Sequence, residues 1–290
     1  MRLLNRPAGR LSRHRRGPVA GLLVVLLGLL LTGGLYAAFS PAQAGSAATN
    51  QAKIDQGRQL FLVGCAFCHG QSGQGVLSRD GNNIGPTLVG VGAAAVDFQV
   101  GTGRMPAAQP GAQIPRKEPV YSPEETAALA AYVASLGAGP AIPTASEYAL
   151  PADLTDEQRQ EAIVRGGQIF LTNCTACHNF EGSGGAMPHG GYAPNIRGVP
   201  SKYIYEAMLT GPQAMDTFSN GNLSVEEKQD VIAYLQSIEN NPEYGGFGLG
   251  GLGPVSEGMF AWLVGIGSLV GVATWIAAHT TRSKKTGVEA

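Results

Sequence analysis

The chain has 290 residues, enough for two ordinary domains, and 44% of them are hydrophobic against only 14% charged, which excludes a wholly disordered chain. With 42 glycines and 18 prolines it is poorly supplied for long polar helices or coiled coils. The net charge of −1 conceals segregation: residues 1–17 carry six arginines and no acid, residues 45–256 carry 11 basic against 19 acidic side chains, and the tail from His279 is basic again. An acidic middle argues against nucleic acid, whose phosphates require a basic face, and agrees better with a basic or docked protein partner.

The first element runs from Pro18 to Phe39 without a charge. As a helix, such a run reaches roughly 33 Å, enough to cross a bilayer core of about 30 Å. The basic segment 1–17 before it belongs on the cytoplasmic side, which sends the following chain outward. A cleaved signal peptide is the competing reading, because Ala42-Gln43-Ala44 resembles a small-residue cleavage site, but the apolar run exceeds the usual signal core of about 7–15 residues. A second uncharged run, 259–278, is followed by Arg282, Lys284 and Lys285 and reads as another span returning to the cytoplasm. The expected order is a cytoplasmic basic segment at 1–17, a span at 18–39, one domain at 50–137, a linker at 138–152, a second domain at 153–240, a Gly-rich joint at 241–258, a span at 259–278 and a cytoplasmic tail at 279–290.

The middle of the chain is a repeat. Residues 57–69 align on 166–178 without a gap, with seven of thirteen positions identical. Two further blocks recur in the same order: Gly85-Pro86-Thr87-Leu88 answers Ala193-Pro194-Asn195-Ile196, and the stretch from Ser122 answers that from Ser224. Three blocks in one order indicate a duplicated domain. Each unit opens with an amphipathic helix, passes through a long Gly-rich loop and closes with a helix announced by a capping box, Ser122-x-x-Glu125 or Ser224-x-x-Glu227. Leu129, Tyr132, Val133 and Leu136 recur at helical spacing, as do Val231, Tyr234, Leu235 and Ile238. No alternating strand pattern competes, so the fold class is mainly α.

All four cysteines lie in two Cys-x-x-Cys-His motifs, Cys65–His69 and Cys174–His178, the pattern of covalent c-type haem attachment. Two cysteines three apart project on one side of a helical turn, where each thiol reaches one vinyl group of a haem, and the next histidine points at the iron. A shared four-cysteine zinc site needs the pairs about 15–20 residues apart, far closer than Cys68 and Cys174 stand, and would leave both histidines idle. A thioredoxin-like pair wants a βαβ context that is absent, and plain disulfides do not explain the histidines. The expected cofactors are two covalent haem c groups.

For the sixth iron ligand of the first haem, Met105 is the only methionine between His69 and the second unit, and it sits in a Gly- and Pro-rich loop where packing is a poor alternative. In the second unit Met187, Met208, Met215 and His189 all follow His178, and Met215 is preferred because its spacing matches that of Met105. Met208 lies in a helical-looking stretch suited to packing, whereas Met187 and His189 have no counterpart in the first unit. Histidine with methionine raises the potential and leaves no open iron position, which favours one-electron transfer over substrate chemistry. Pro86 and Pro194 stand where a backbone carbonyl can hold the histidine's other nitrogen, or are ordinary loop prolines.

These motifs, with the Gly-Pro-x-Leu-like and methionine loops, resemble class I cytochrome c domains, two in tandem flanked by N- and C-terminal transmembrane helices. The order of elements, and the stretches 205–215 and 224–234 in particular, resemble the dihaem cytochrome c subunits of the actinobacterial-type cytochrome bc complex. That resemblance implies Cys65, Cys68, Cys174 and Cys177 as haem attachments, with His69 and Met105, then His178 and Met215, on the irons. It also implies a cytochrome b subunit and a Rieske iron–sulfur subunit as partners and electron delivery toward cytochrome c oxidase. The alternative is a dihaem subunit of a haem–copper oxidase or a membrane-anchored dihaem carrier.

Overall fold

A computed structural model of the chain describes residues 17–39, 41–187, 190–240, 249 and 253–285. Two helices at its ends, α1 (Pro18–Phe39) and the last helix (Pro254–Lys285), contain stretches long and apolar enough to cross a membrane, Pro18–Tyr36 and Pro254–His279, and neither stretch is buried against the rest of the chain. Such surface is stable in lipid and not in water, so these are the transmembrane helices flanking the middle of the chain. The last helix begins five residues before its apolar run, with Pro254 in the first turn, where a missing N–H costs nothing. The basic segment 1–16 and residues 241–248 and 250–252 of the expected Gly-rich joint lie outside the described residues.

Between the spans the duplicated sequence forms duplicated structure. Unit 1 consists of α2 (Pro41–Gly64), the single turn α3 (Ala66–His69), a two-strand ladder β1 (Val76–Leu77) and β2 (Asn83–Gly85), α4 (Gly92–Gly101) and α5 (Pro123–Ser135). After a one-turn helix α6 (Ala145–Tyr148), unit 2 repeats the order as α7 (Asp156–Asn173), α8 (Thr175–His178), β3 (Gly185–Ala186), β4 (Tyr192–Ala193), α9 (Ser201–Thr210) and α10 (Val225–Asn240). The last helix is α11. Both ladders are antiparallel, and their strands of two or three residues are too short to show alternation in the sequence.

Each unit's core is the crossing of its first and last long helices. Gly57 lets α2 approach α5 so closely that a methyl group there would overlap the Ala128 carbonyl, and Gly166 does the same for α7 against Asp230 of α10. One turn later, Phe61 and Phe170 fill the two cores, with ring centroids 5.1 Å from Tyr132 and 5.5 Å from Tyr234. Val96, Val100, Leu129 and Val133 complete the first core, and Ile204, Tyr205, Val231 and Leu235 the second. Both capping boxes form: the Glu125 and Glu227 amides each donate to the serine Oγ at 3.2 Å, and the carboxylates accept from the serine N–H groups at 2.9 and 2.7 Å.

The stretch expected as a linker is partly ordered. Its helix α6 is packed on α10, where Gln229 Nε2 donates to the Ser146 carbonyl at 2.7 Å. The units also meet directly, α4 against α9. There Phe98 and Tyr203 pack edge to face, 6.3 Å apart, and Arg104 lies 4.8 Å over the Phe98 ring.

Candidate haem sites

In each unit the cysteine motif is a corner. The first long helix ends where Cys65 or Cys174 begins a second turn, closed by His69 N–H to Cys65 O and His178 N–H to Cys174 O, both 2.9 Å. This places the two cysteines and the histidine on one compact turn, the arrangement that attachment to a single haem requires. Gly70, at φ +79, stops the turn in unit 1. Unit 2 uses Asn179 at φ +58, whose side-chain amide is bonded to the Gly184 carbonyl. The Gly-rich loops then fold back on the corner, with Gly75 N–H bonded to His69 O at 2.8 Å and Gly184 N–H to His178 O at 3.0 Å.

The histidines are oriented by the loop prolines. His69 Nδ1 lies 2.8 Å from the Pro86 carbonyl and His178 Nδ1 lies 3.1 Å from that of Pro194. A carbonyl only accepts, so Nδ1 carries the hydrogen and Nε2 keeps its lone pair free for a metal. Gly85 is required for this return of the chain in unit 1, since a methyl group there would overlap the Cys68 carbonyl. His69 is buried and His178 half-buried. Burial pushes the His178 imidazole down despite its hydrogen bond to Pro194, favouring the neutral ring a metal ligand must be.

The four thiols are unpaired. Burial, with the neighbouring cysteine second, pushes both Cys65 and Cys174 up to about 11. Among the described residues no group of three or more His, Cys, Asp or Glu side chains is arranged to hold a bare metal ion, and the two cysteine pairs lie in separate corners. Donor chemistry therefore fits two separate haem groups, one per corner.

Met105 and Cys65 pack against the same apolar cluster in unit 1, and Met215 and Cys174 against the corresponding cluster in unit 2. Met208 is buried inside the second cluster, as its helical setting suggested. Met187 follows β3 with its N–H bonded to Gly191 O at 3.2 Å, and His189 lies outside the described residues.

Sequence reading missed the polar contacts between the units. Lys202 Nζ of α9 lies 2.5 Å from Asp97 Oδ2 of α4, an ion pair outside hydrogen-bond alignment. Burial works against the Lys202 charge, but the Asp97 contact outweighs it and raises the group. Glu206, fully buried beside them, has no aligned hydrogen-bond partner among the described residues. Burial first, then the Asp97 carboxylate, pushes it up to about 9, which favours its neutral form. Two glutamines also cross the boundary, Gln113 to Tyr192 and Gln213 to Ile114. Pairs nearly 80 and 100 residues apart leave no periodic signal in a sequence.

The family described as Cytochrome c matches residues 54–137, and the family described as Cytochrome C oxidase, cbb3-type, subunit III matches residues 161–235. Each unit is thus a cytochrome c domain, and the two cysteine pairs in those domains fit two covalent haem c groups. Over nearly its whole length the chain is similar to proteins named cytochrome bc1 complex cytochrome c subunit. It is 44% identical to that of Corynebacterium diphtheriae, covering 93% of this chain and 98% of the relative, and 44% identical to that of Corynebacterium efficiens, covering 92% of each. The Mycobacterium tuberculosis protein of that name is 41% identical, over 94% of this chain and 95% of the relative. Two haem-binding corners between two membrane helices, in a sequence this close to those relatives, place the chain in the family of cytochrome bc1 complex cytochrome c subunits.

Proposed function

We propose that this chain relays single electrons within a quinol–cytochrome c reductase, from a Rieske iron–sulfur subunit through its two haem domains toward cytochrome c oxidase, and performs no substrate chemistry of its own. The supporting observation is the duplicated corner, in which a loop carbonyl holds each histidine with Nε2 free. Cys65 and Cys68 hold the first haem and Cys174 and Cys177 the second. His69 and His178 would offer Nε2 to the irons, with Met105 and Met215 as the further iron ligands. When bound, a haem with these ligands supplies a reversible one-electron site of raised potential. The protein's part is to fix the ligands and keep substrate from the iron, so that little reorganisation accompanies a change of charge.

The membrane helices hold the units at one face of the bilayer. Arginines before α1 and Arg282, Lys284 and Lys285 after the second apolar stretch support cytoplasmic termini and haem domains outside. Membership of a bc1 subunit family supports a cytochrome b subunit and a Rieske subunit as partners.

The match of unit 2 to the cbb3-type oxidase subunit family favours a second reading, a haem-bearing oxidase subunit. Detergent extraction through a tag on this chain separates the two. Cytochrome b and Rieske subunits should be recovered together; recovery of oxidase subunits alone would sink the bc1 assignment.

A further inference from the structure

The loops that carry the second haem's ligands are held in part by the first unit. Gln113 and Ile114 are neighbours in the segment between Met105 and Ser122. Gln113 Nε2 donates to the Tyr192 carbonyl at 2.6 Å and its Oε1 accepts the Tyr192 N–H at 3.0 Å. Gln213 mirrors this from the other side: its Nε2 donates to the Ile114 carbonyl at 3.0 Å and its Oε1 accepts the Ile114 N–H at 3.2 Å. A primary amide holds its donor and acceptor in one plane, so pairing both with one backbone residue fixes direction as well as distance. Gly191, at φ +82, is where Gln113 approaches: a methyl group there would lie 2.8 Å from Gln113 Oε1.

What these amides hold is specific. Tyr192 opens β4, and two residues later Pro194 supplies the carbonyl that orients His178. Gln213 is the second residue of a turn closed by Met215 N–H to Pro212 O at 3.1 Å, and its φ of +59 lies in the left-handed region. A residue with a side chain resists that conformation by roughly 1–2 kcal/mol, so the turn presenting Met215 is set by whatever holds Gln213 there. In unit 1 the N–H of Met105 bonds to Gln99 O at 2.9 Å.

We propose that Gln113 and Gln213 are positioning residues for the second haem's iron ligands, so that unit 1 helps to set the ligand geometry of unit 2. This rests on the proposed ligand roles of Met215 and His178.

The test uses the full-length, haem-loaded chain in its membrane complex, with Gln113→Ala, Gln213→Gly, both together, and Met215→Leu. Glycine accepts the left-handed backbone, so Gln213→Gly removes the clip without adding strain. Measured are the sulfur-to-iron charge-transfer absorption of the oxidised protein and the midpoint potentials of the two haems. In the double variant one potential should fall while the other stays, and the charge-transfer absorbance should drop by up to half. Gln113→Ala alone, a change in the other unit, should move the same haem less far. Wild-type absorbance and potentials in the double variant, with Met215→Leu losing half the absorbance, would overturn the positioning role. Equal shifts of both haems would overturn it too, as general loosening. Wild-type absorbance in Met215→Leu would overturn the ligand reading instead.

Discussion

The two haem domains share a plan and differ in charge and in rim. Residues 50–137 carry six basic and six acidic side chains, whereas residues 153–240 carry five basic and eleven acidic. Around the cysteine motif, unit 1 exposes Val63 and Phe67, at 91% and 88%, and at the matching positions unit 2 has Thr172 and Ala176. The inner frame, by contrast, is the same to the residue: Gly57 and Gly166 at the helix crossings and Phe61 and Phe170 in the cores are buried in both units, and Pro86 and Pro194 stand behind both histidines. The frame that positions the candidate haem ligands is thus shared by both copies, while the outer surface differs between them.

That comparison can be broken most severely at the corners. Replacing Cys65 and Cys68 by serine should lower the covalent haem count from two to one per chain in a pyridine haemochrome assay, and replacing Cys174 and Cys177 should do the same. Loss of both haems from either pair would mean that the units are not independent attachment sites.

The shared frame is tested next by Phe61→Ala and Phe170→Ala, each expected to cost about 3–5 kcal/mol through lost packing and the cavity left behind. Thermal melts followed by haem absorbance should show lowered midpoints in both variants. A change confined to one of them would refute the equivalence of the cores.

The boundary between the units supplies a pH test. Glu206 ordinarily ionises near 4.5 and is held near 9 here, so the neutral form belongs to the folded state. Its contribution to stability is complete below 4.5 and is lost progressively as pH rises toward 9, because the unfolded chain gives up the proton first. Glu206→Gln, neutral at every pH, should flatten the fall in melting temperature across that window and stabilise the protein at pH 7 by on the order of 2 kcal/mol. An unchanged slope would show that Glu206 is charged in the fold.

The smallest effect is expected at the helix caps, where Ser122→Ala and Ser224→Ala should each cost about 1 kcal/mol, and by similar amounts because the two boxes have the same geometry.

Most of this frame is legible in the sequence because it repeats. Gly57, Phe61, Cys65, Cys68 and His69 recur at a fixed offset in unit 2, and the capping boxes recur after them, so helices, cores and corners can be placed before any coordinates. Apolar runs mark the spans for the same reason: a bilayer imposes a length and a polarity. The boundary between units is not legible. Asp97, Lys202 and Glu206 look like ordinary charges on helices, and Gln113 and Gln213 like ordinary loop residues. Their partners lie far away in sequence, and neither unit repeats the other's half of the contact. Short helix α6 was hidden by the prolines around it, although Thr144 and Glu147 form a capping box that sequence alone contains.

Intact mass of the denatured, purified chain is the most direct test of the central claim. Thioether bonds survive denaturation, so the account predicts a polypeptide heavier by two haem groups, with each added mass lost when its own cysteine pair is replaced. A chain from haem-maturing cells whose mass equals that of its amino acids alone, or exceeds it by a single haem, would contradict it.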